Sequence, residues 1–185
     1  MTPPIQPVAS DARMPAAADV VIIGGGIAGV SAAWHLARKG HSVALVEKGQ
    51  VGAEQSGRNW GWVRQQNRDE RELPLIKHSL ELWGELNEAI GADTGFRRTG
   101  VLYVTDRQAD LDDWERWVTL ARGYQVHSTM LTAAQAREMT PGCDKPWLGG
   151  VHSPTDGKGE PTMAAPVLAE AARRLGVSLH QNCAA

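Results

Sequence analysis

An α/β fold is predicted by three features of this 185-residue chain. A run of branched apolar residues, Val20 to Ile23, stops abruptly at three glycines, Gly24-Gly25-Gly26. A helix-forming stretch then leads to a second apolar run, Val43 to Val46. That run ends on an acid, Glu47. Continuous apolar runs of this length fit parallel strands, so Val20–Ile23 is expected to be buried on both faces.

Taken in order, the elements make a nucleotide-binding unit. Gly24, Gly26 and Gly29 spell G-x-G-x-x-G. Gly24 permits a tight turn, Gly26 lets a pyrophosphate approach the backbone, and Gly29 lets the helix pack closely on the sheet. The helix is expected from Ile27 to Lys39, with Gly40 as its stop. The N–H groups of its first turn, at Ile27, Ala28 and Gly29, point at the anion together with the positive end of the helix dipole. Glu47 lies close to the expected distance for a ribose-binding carboxylate, which would repel a 2′-phosphate. The pattern therefore predicts a Rossmann-like domain for FAD or NAD(H) rather than NADP. The strand–helix–strand unit alone does not choose between the two.

Composition is that of an ordinary globular protein, 42% hydrophobic and 22% charged. The formal net charge of −2 favours neither nucleic acid nor an anionic membrane as partner. Two distant cysteines, Cys143 and Cys183, fit reduced thiols in a cytoplasmic protein better than a disulfide framework. No apolar run reaches the roughly 20 residues of a spanning helix. Six scattered histidines without paired ligands argue against a metal site. The amino-terminal segment up to Ala18, rich in Pro and Ala, lacks the pattern of a secretory signal and is expected to be disordered, with Met14 as a second candidate start.

The segment after Glu47, "KGQVGAEQSGRNWGWVRQQNRDE", is too long for a routine connection and carries Trp60 and Trp62. Together with the glycine motif it resembles the start of the D-amino acid oxidase-like family of FAD-dependent enzymes, which includes sarcosine, glycine and other amine oxidases and dehydrogenases. That resemblance implies FAD as cofactor and a loop running beneath the flavin, with Ser56, Asn59 and Gly61 matching its pattern. Lys48, Gly57 and Arg58 lie along the same cofactor-binding stretch, though Arg58 reads equally as a solvated loop residue. Trp60 and Trp62 either flank the isoalloxazine or are core aromatics. Arg64 is the catalytic candidate, as a cation beside the reduced flavin or a substrate carboxylate; its alternative is a surface arginine. A later stretch, "DGKGEPTMAAPVLAEAARRLGVSLHQN", resembles the family's return to the FAD domain.

The remaining elements follow from periodicity. Residues 72–90 read as an amphipathic helix with Leu75, Ser79, Leu82, Trp83, Leu86 and Ile90 on its apolar face and Pro74 in its first turn. Residues 95–106 read as strand with a turn near Gly100. Residues 107–125 read as a helix burying Leu111, Trp114, Trp117, Val118 and Ala121. A short helix ends at Pro141-Gly142, "WLGGVHS" is a strand, and a last helix starts near Pro161. With the resemblance, the implied division is an extension over 1–18, the FAD-binding βαβ unit and flavin loop over 19–69, an inserted part of an α+β substrate domain over 70–150, and a truncated return to the FAD-binding domain over 151–185.

The family continues beyond the end of this chain, so the FAD-binding domain is expected to be incomplete, a fragment that by itself binds FAD poorly. The activity implied is oxidation of an amine or amino acid by hydride transfer to flavin. Two alternatives stay open: an NAD-binding dehydrogenase, and a non-catalytic remnant or subunit that completes its site with another chain. A second subunit or an electron acceptor is a candidate partner.

Overall fold

The computed structural model describes residues 4–185. In chain order the elements are β1 (Val20–Ile23), α1 (Ile27–Arg38), β2 (Val43–Val46), α2 (Gln55–Arg58), β3 (Trp62–Val63), α3 (Leu73–Ile90), β4 (Val101–Thr105), α4 (Gln108–Arg122), β5 (Thr129–Thr132), α5 (Ala133–Glu138), β6 (Gly149–Ser153), β7 (Gly157–Lys158), α6 (Pro161–Arg174) and β8 (Ser178–His180). They divide into two compact units, residues 4–62, 85–96 and 159–185 in one, residues 63–84 and 97–158 in the other. The sequence reading places the limits at 69/70 and 150/151.

The first unit is built on a parallel sheet in the order β1-β2-β8. Its middle strand, β2, is buried along its whole length, which is why it reads as Val-Ala-Leu-Val without alternation. Leu45 lies beside Leu179 of β8 in register, and both are fully buried. Helix α1 contributes Val30, Ala33 and Trp34, spaced three and four apart, and α6 contributes Ala165, Leu168, Ala169 and Ala172 at the same periodicity. The small residues of α6 let its backbone come close to its neighbours.

Two expectations for this unit need correction. Strand β1 is not buried on both faces: Ile22 joins the core, but Val21 and Ile23 are 62% and 74% exposed. The core built from α1 and α6 covers the face that carries Ile22, while the opposite face, with Val21 and Ile23, is left open. Nor is the amino-terminal extension disordered where it lies among the described residues. Asp11 N–H donates to Leu179 O (2.7 Å), and the Asp11 carboxylate accepts from Leu179 N–H (2.8 Å) and from Arg173 (2.7 Å). Ala9 N–H donates to Glu170 Oε1 (2.7 Å) and Gln181 N–H to Ser10 Oγ (2.9 Å). The segment is a strap along α6 and β8, held by hydrogen bonds rather than by apolar periodicity, so composition alone reads it as unstructured.

The strap also repairs a helix. Pro166 lies inside α6, where it supplies no N–H to the carbonyl four residues earlier. That carbonyl, Thr162 O, accepts instead from Gln6 N–H at 3.0 Å.

The second unit carries an antiparallel sheet in the order β4-β6-β5, with Tyr103 and Met130 both paired to Val151. Helix α4 packs as its periodicity predicts, with Val118 and Ala121 buried and Leu111, Trp114 and Trp117 half-buried. Helix α5 starts with a capping box in which the Thr132 and Gln135 side chains satisfy each other's backbone N–H. Helix α3 begins one residue later than expected, with Pro74 in its first turn, and its covered stripe is rotated. Leu73, Leu80 and Ile90 are buried and Ile76, Trp83 and Leu86 half-buried, while Leu75, Ser79 and Leu82 are exposed. Both stripes have helical spacing; Leu73 is selected by packing with Ala121 and Val126, and Leu86 and Ile90, in residues 85–96, by the core of the first unit.

Two outcomes test this picture. Leu45→Ala should destabilise the chain by about 2–5 kcal/mol in urea denaturation, because a fully buried site in mid-sheet collapses poorly. The Arg173 guanidinium, helped by Leu179 N–H, holds the Asp11 carboxyl below its ordinary value of 3.8. A depressed folded value means stability that is present above 3.8 and lost as pH falls through the folded value. The melting-temperature gap between the parent and Asp11→Asn should therefore be widest near neutrality and close as the pH drops below 3.8.

Candidate functional site

The site grows out of the turn between β1 and α1. Gly24 has φ +105°, a left-handed conformation that side-chain-bearing residues rarely adopt, and its N–H donates to Val46 O at 2.8 Å. The chain then reverses so tightly that a Cβ on Gly29 would stand 2.0 Å from Gly24 O. Gly29 is thus required by the closeness of the helix to the turn. Gly26 precedes α1 as its N-cap, with no capping side chain, and the first turn of α1 holds no acidic residue. The positive end of the helix dipole is therefore left uncompensated by its own helix.

Two side chains close on this turn. Ser56 Oγ accepts from Ile27 N–H at 2.9 Å. Glu47, buried at the end of β2, accepts from Gly25 N–H through Oε2 (2.7 Å) and from Gly49 N–H through Oε1 (2.8 Å). Its backbone is held as well, with N–H donating to His180 O (2.8 Å) and O accepting from Cys183 N–H (2.9 Å). Each carboxylate oxygen retains a further lone pair, so the acid can still accept from sugar hydroxyls. Helix N–H groups, a glycine at the point of approach and a carboxylate on the adjacent parallel strand suit the diphosphate and ribose of a dinucleotide. The residues present fit the adenosine-diphosphate half of FAD.

The remaining loop residues are placed as follows. Gly57 is buried, and Asn59 organises the chain, accepting from Gly61 N–H (2.7 Å) and donating to Ser56 O (2.8 Å). Gly61 has φ +73°. Trp60 and Trp62 pack edge-on at 5.6 Å between ring centroids and are 82% and 45% exposed, so they are not core aromatics. Lys48 and Arg58 are solvent-facing and both reach Glu54, at 3.9 and 3.1 Å.

Arg64 belongs to the second unit. Its guanidinium lies 5.7 Å from the Tyr103 ring centroid and donates to Gln66 O. The Tyr103 hydroxyl is pushed above its ordinary value by burial, with Arg64 opposing the shift. The backbone after Arg64 is pinned by Asp156, fully buried, whose carboxylate accepts from Gln65 N–H and Gln66 N–H at 2.9 Å each. Sequence reasoning does not single out Asp156, since a T-D-G turn gives no sign that its acid is internal. It misses Gln181, which accepts from Val51 N–H beside the glycine turn (2.9 Å), for the same reason.

The other candidates are ordinary. His35 packs edge-on to Trp34, with burial lowering its basicity, and His78 faces Glu81. Cys143 is exposed, and Asp69 caps the 3-10 turn that precedes α3. Among the described residues no group of three or more His, Cys, Asp or Glu converges on a metal position, and no helix is long and apolar enough to cross a membrane.

Residues 19–185 match the family model described as DAO, FAD dependent oxidoreductase. Mitochondrial sarcosine dehydrogenase of Homo sapiens is 32% identical over 176 residues, which are 92% of this chain and 19% of that protein. Glycine oxidase of Geobacillus kaustophilus is 32% identical over 88% of this chain and 45% of its own length. Sarcosine oxidase subunit beta of an Arthrobacter species is 32% identical over 89% and 43%. Among solved structures, L-amino acid deaminase from Proteus myxofaciens, in complex with anthranilate, superposes with a TM-score of 0.90 at 30% identity, over 97% of this chain and 41% of that one. The chain thus spans less than half the length of each of these relatives.

Two glycine substitutions separate close approach from mere flexibility. Gly29→Ala should cost about 1–3 kcal/mol or more in thermal denaturation, because backbone must move to admit the methyl group. Gly26→Ala should cost less, since its Cβ would meet the Ser56 hydroxyl, a side-chain atom, at 3.0 Å.

Proposed function

The chain belongs to the FAD-dependent oxidoreductase family, and from that premise we propose that it forms the dinucleotide-holding part of an enzyme that oxidises an amine or amino acid. The observation carrying this reading is the joint placement of the α1 start and the Glu47 carboxylate around one glycine turn. Its support on the substrate side is that relatives named for sarcosine, glycine and L-amino acids agree on a carbon bearing nitrogen.

When bound, FAD supplies the acceptor for a hydride from that carbon, the substrate being left as an imine. The residues of this chain bind and orient. The N–H groups of Ala28 and Gly29 and the dipole of α1 receive the diphosphate, and Glu47 accepts from ribose hydroxyls. Asn59 holds the loop so that Ser56, Gly57 and Gly61 keep the backbone close to the cofactor. Lys48 and Arg58 add positive charge at its edge. Trp60 and Trp62 offer an exposed apolar surface to a planar ring. Arg64 is retained as the group that pairs with a carboxylate or with negative charge on the ring.

A second reading, a non-catalytic remnant or subunit that completes its site with another chain, has as its support a relative named as a subunit. The NAD-binding alternative has no observation in its favour.

The test is spectroscopic. The longest reading frame containing this chain is purified, supplied with FAD, desalted and inspected for a retained visible flavin spectrum. Glycine, sarcosine and L- and D-amino acids are then added without oxygen, and the substrate should bleach that spectrum. Glu47→Ala should weaken retention by about 1.5–3 kcal/mol and Glu47→Gln by less, because hydrogen bonds to a charged acceptor are worth that much. Unchanged retention in both variants would show that the carboxylate does not hold the ribose.

A further inference from the structure

The turn that carries Glu47 is buttressed from far away in the sequence. Val51 is buried, its N–H donates to Gln181 Oε1 (2.9 Å), and the next N–H, of Gly52, donates to Gly25 O (3.0 Å). A displacement of Val51 is therefore passed directly to the glycine turn. Gln181 is itself fixed. Its Nε2 donates to Val8 O (2.8 Å) and its backbone N–H to Ser10 Oγ (2.9 Å). The amide can serve both neighbours in one orientation only, oxygen toward Val51 and nitrogen toward Val8. The same strap touches the loop a second time, since a Cβ on Gly57 would lie 2.5 Å from Ile5 Cδ1.

We propose that Gln181 is a positioning residue for the dinucleotide site, and that residues 5–11 form the strap that holds it in register. The strap is anchored on the far side of the unit by Gln6 on Thr162 O, Ala9 on Glu170 and Asp11 on Arg173 and Leu179. Gln181 then conveys that anchorage to Val51, and Val51 and Gly52 set the distance between Gly25 and Glu47. The effect is to pre-form the pocket before ligand arrives, which lowers the ordering cost of binding. The proposal rests on the reading of Gly24–Gly29 and Glu47 as that site.

The experiment measures FAD affinity of the longest reading frame containing this chain by fluorescence titration, alongside amide hydrogen exchange. Gln181→Leu should weaken binding about tenfold and speed exchange at Val51 by a similar factor, the loss of one buttressing hydrogen bond. Exchange at Leu45 should be unmoved. Gln181→Glu keeps an acceptor for Val51 but sets a carboxylate oxygen against Val8 O, so it should recover little of the affinity. Deleting residues 4–10 while keeping Gln181 should reproduce the Gln181→Leu effect, and Ser10→Ala should give a weaker version of it if larger changes impair folding. Glu47→Ala serves as the control. If Glu47→Ala weakens binding while Gln181→Leu and the deletion do not, the strap is structural only and the proposal is overturned. If Gln181→Glu binds FAD as the parent does, the strap's hold through Val8 plays no part and the proposal is likewise refuted. A parent protein of the longest reading frame that takes up no FAD, or a Glu47→Ala variant of it that binds as the parent does, overturns the underlying reading and the proposal with it.

Discussion

One carboxylate ties the first unit together. Glu47 receives Gly25 N–H on one oxygen and Gly49 N–H on the other, while its backbone pairs with His180 and Cys183. The turn after β1, the turn after β2 and the residues after β8 therefore meet at a single residue. Hydrogen bonds to a charged acceptor, at about 1.5–3 kcal/mol each, are strong enough to hold a turn that has few side chains to pack. A glycine turn is otherwise costly to order, because glycine loses more freedom than any other residue. The acid that a ribose would need is thus already positioned by the protein's own backbone.

How much of this is legible in the sequence depends on how local each determinant is. Strand β1, the turn, α1 and β2 are specified by residues that touch their sequence neighbours, and their limits are readable almost to the residue. The stripe of α4 is legible because Leu111, Trp114, Trp117, Val118 and Ala121 leave only one apolar side. Helix α3 has two stripes of helical spacing, and the choice is made outside it, by Ala121 and Val126 for Leu73 and by the core of the first unit for Leu86 and Ile90. The strap is not legible at all, since its partners, backbone groups and polar side chains alike, lie at the opposite end of the chain and follow no periodicity. In the site, Glu47 is found from its spacing, whereas Gln181 and Asp156 carry no pattern. The exposure of Trp60 is equally hidden, because an aromatic residue in a loop reads as core or surface with the same letters.

The edges of the parallel sheet are treated differently. At β8 the outward N–H and C=O of Leu179 are both engaged by Asp11, so that side is closed to further pairing. At β1 the side chains of Val21 and Ile23 stand in solvent. Unpaired, apolar strands at a sheet edge are sites where other chain segments add. The relatives have more than twice this length in which to supply such segments. The strap and the bare strand are therefore complementary features: one edge is finished by the chain itself, the other is left to be covered.

The proline in α6 bears on how the molecule is made. Thr162 O waits for Gln6 N–H, a donor synthesised near the start of the chain, long before the helix that needs it. At typical elongation rates the two are separated by about 8–30 s of synthesis. Throughout that interval the partners that the segment takes in α6 and β8 have not yet been made. The Pro- and Ala-rich composition that reads as disorder in the finished sequence is suited to that delay, because it offers a nascent chain little to aggregate through while the last helix is still being synthesised.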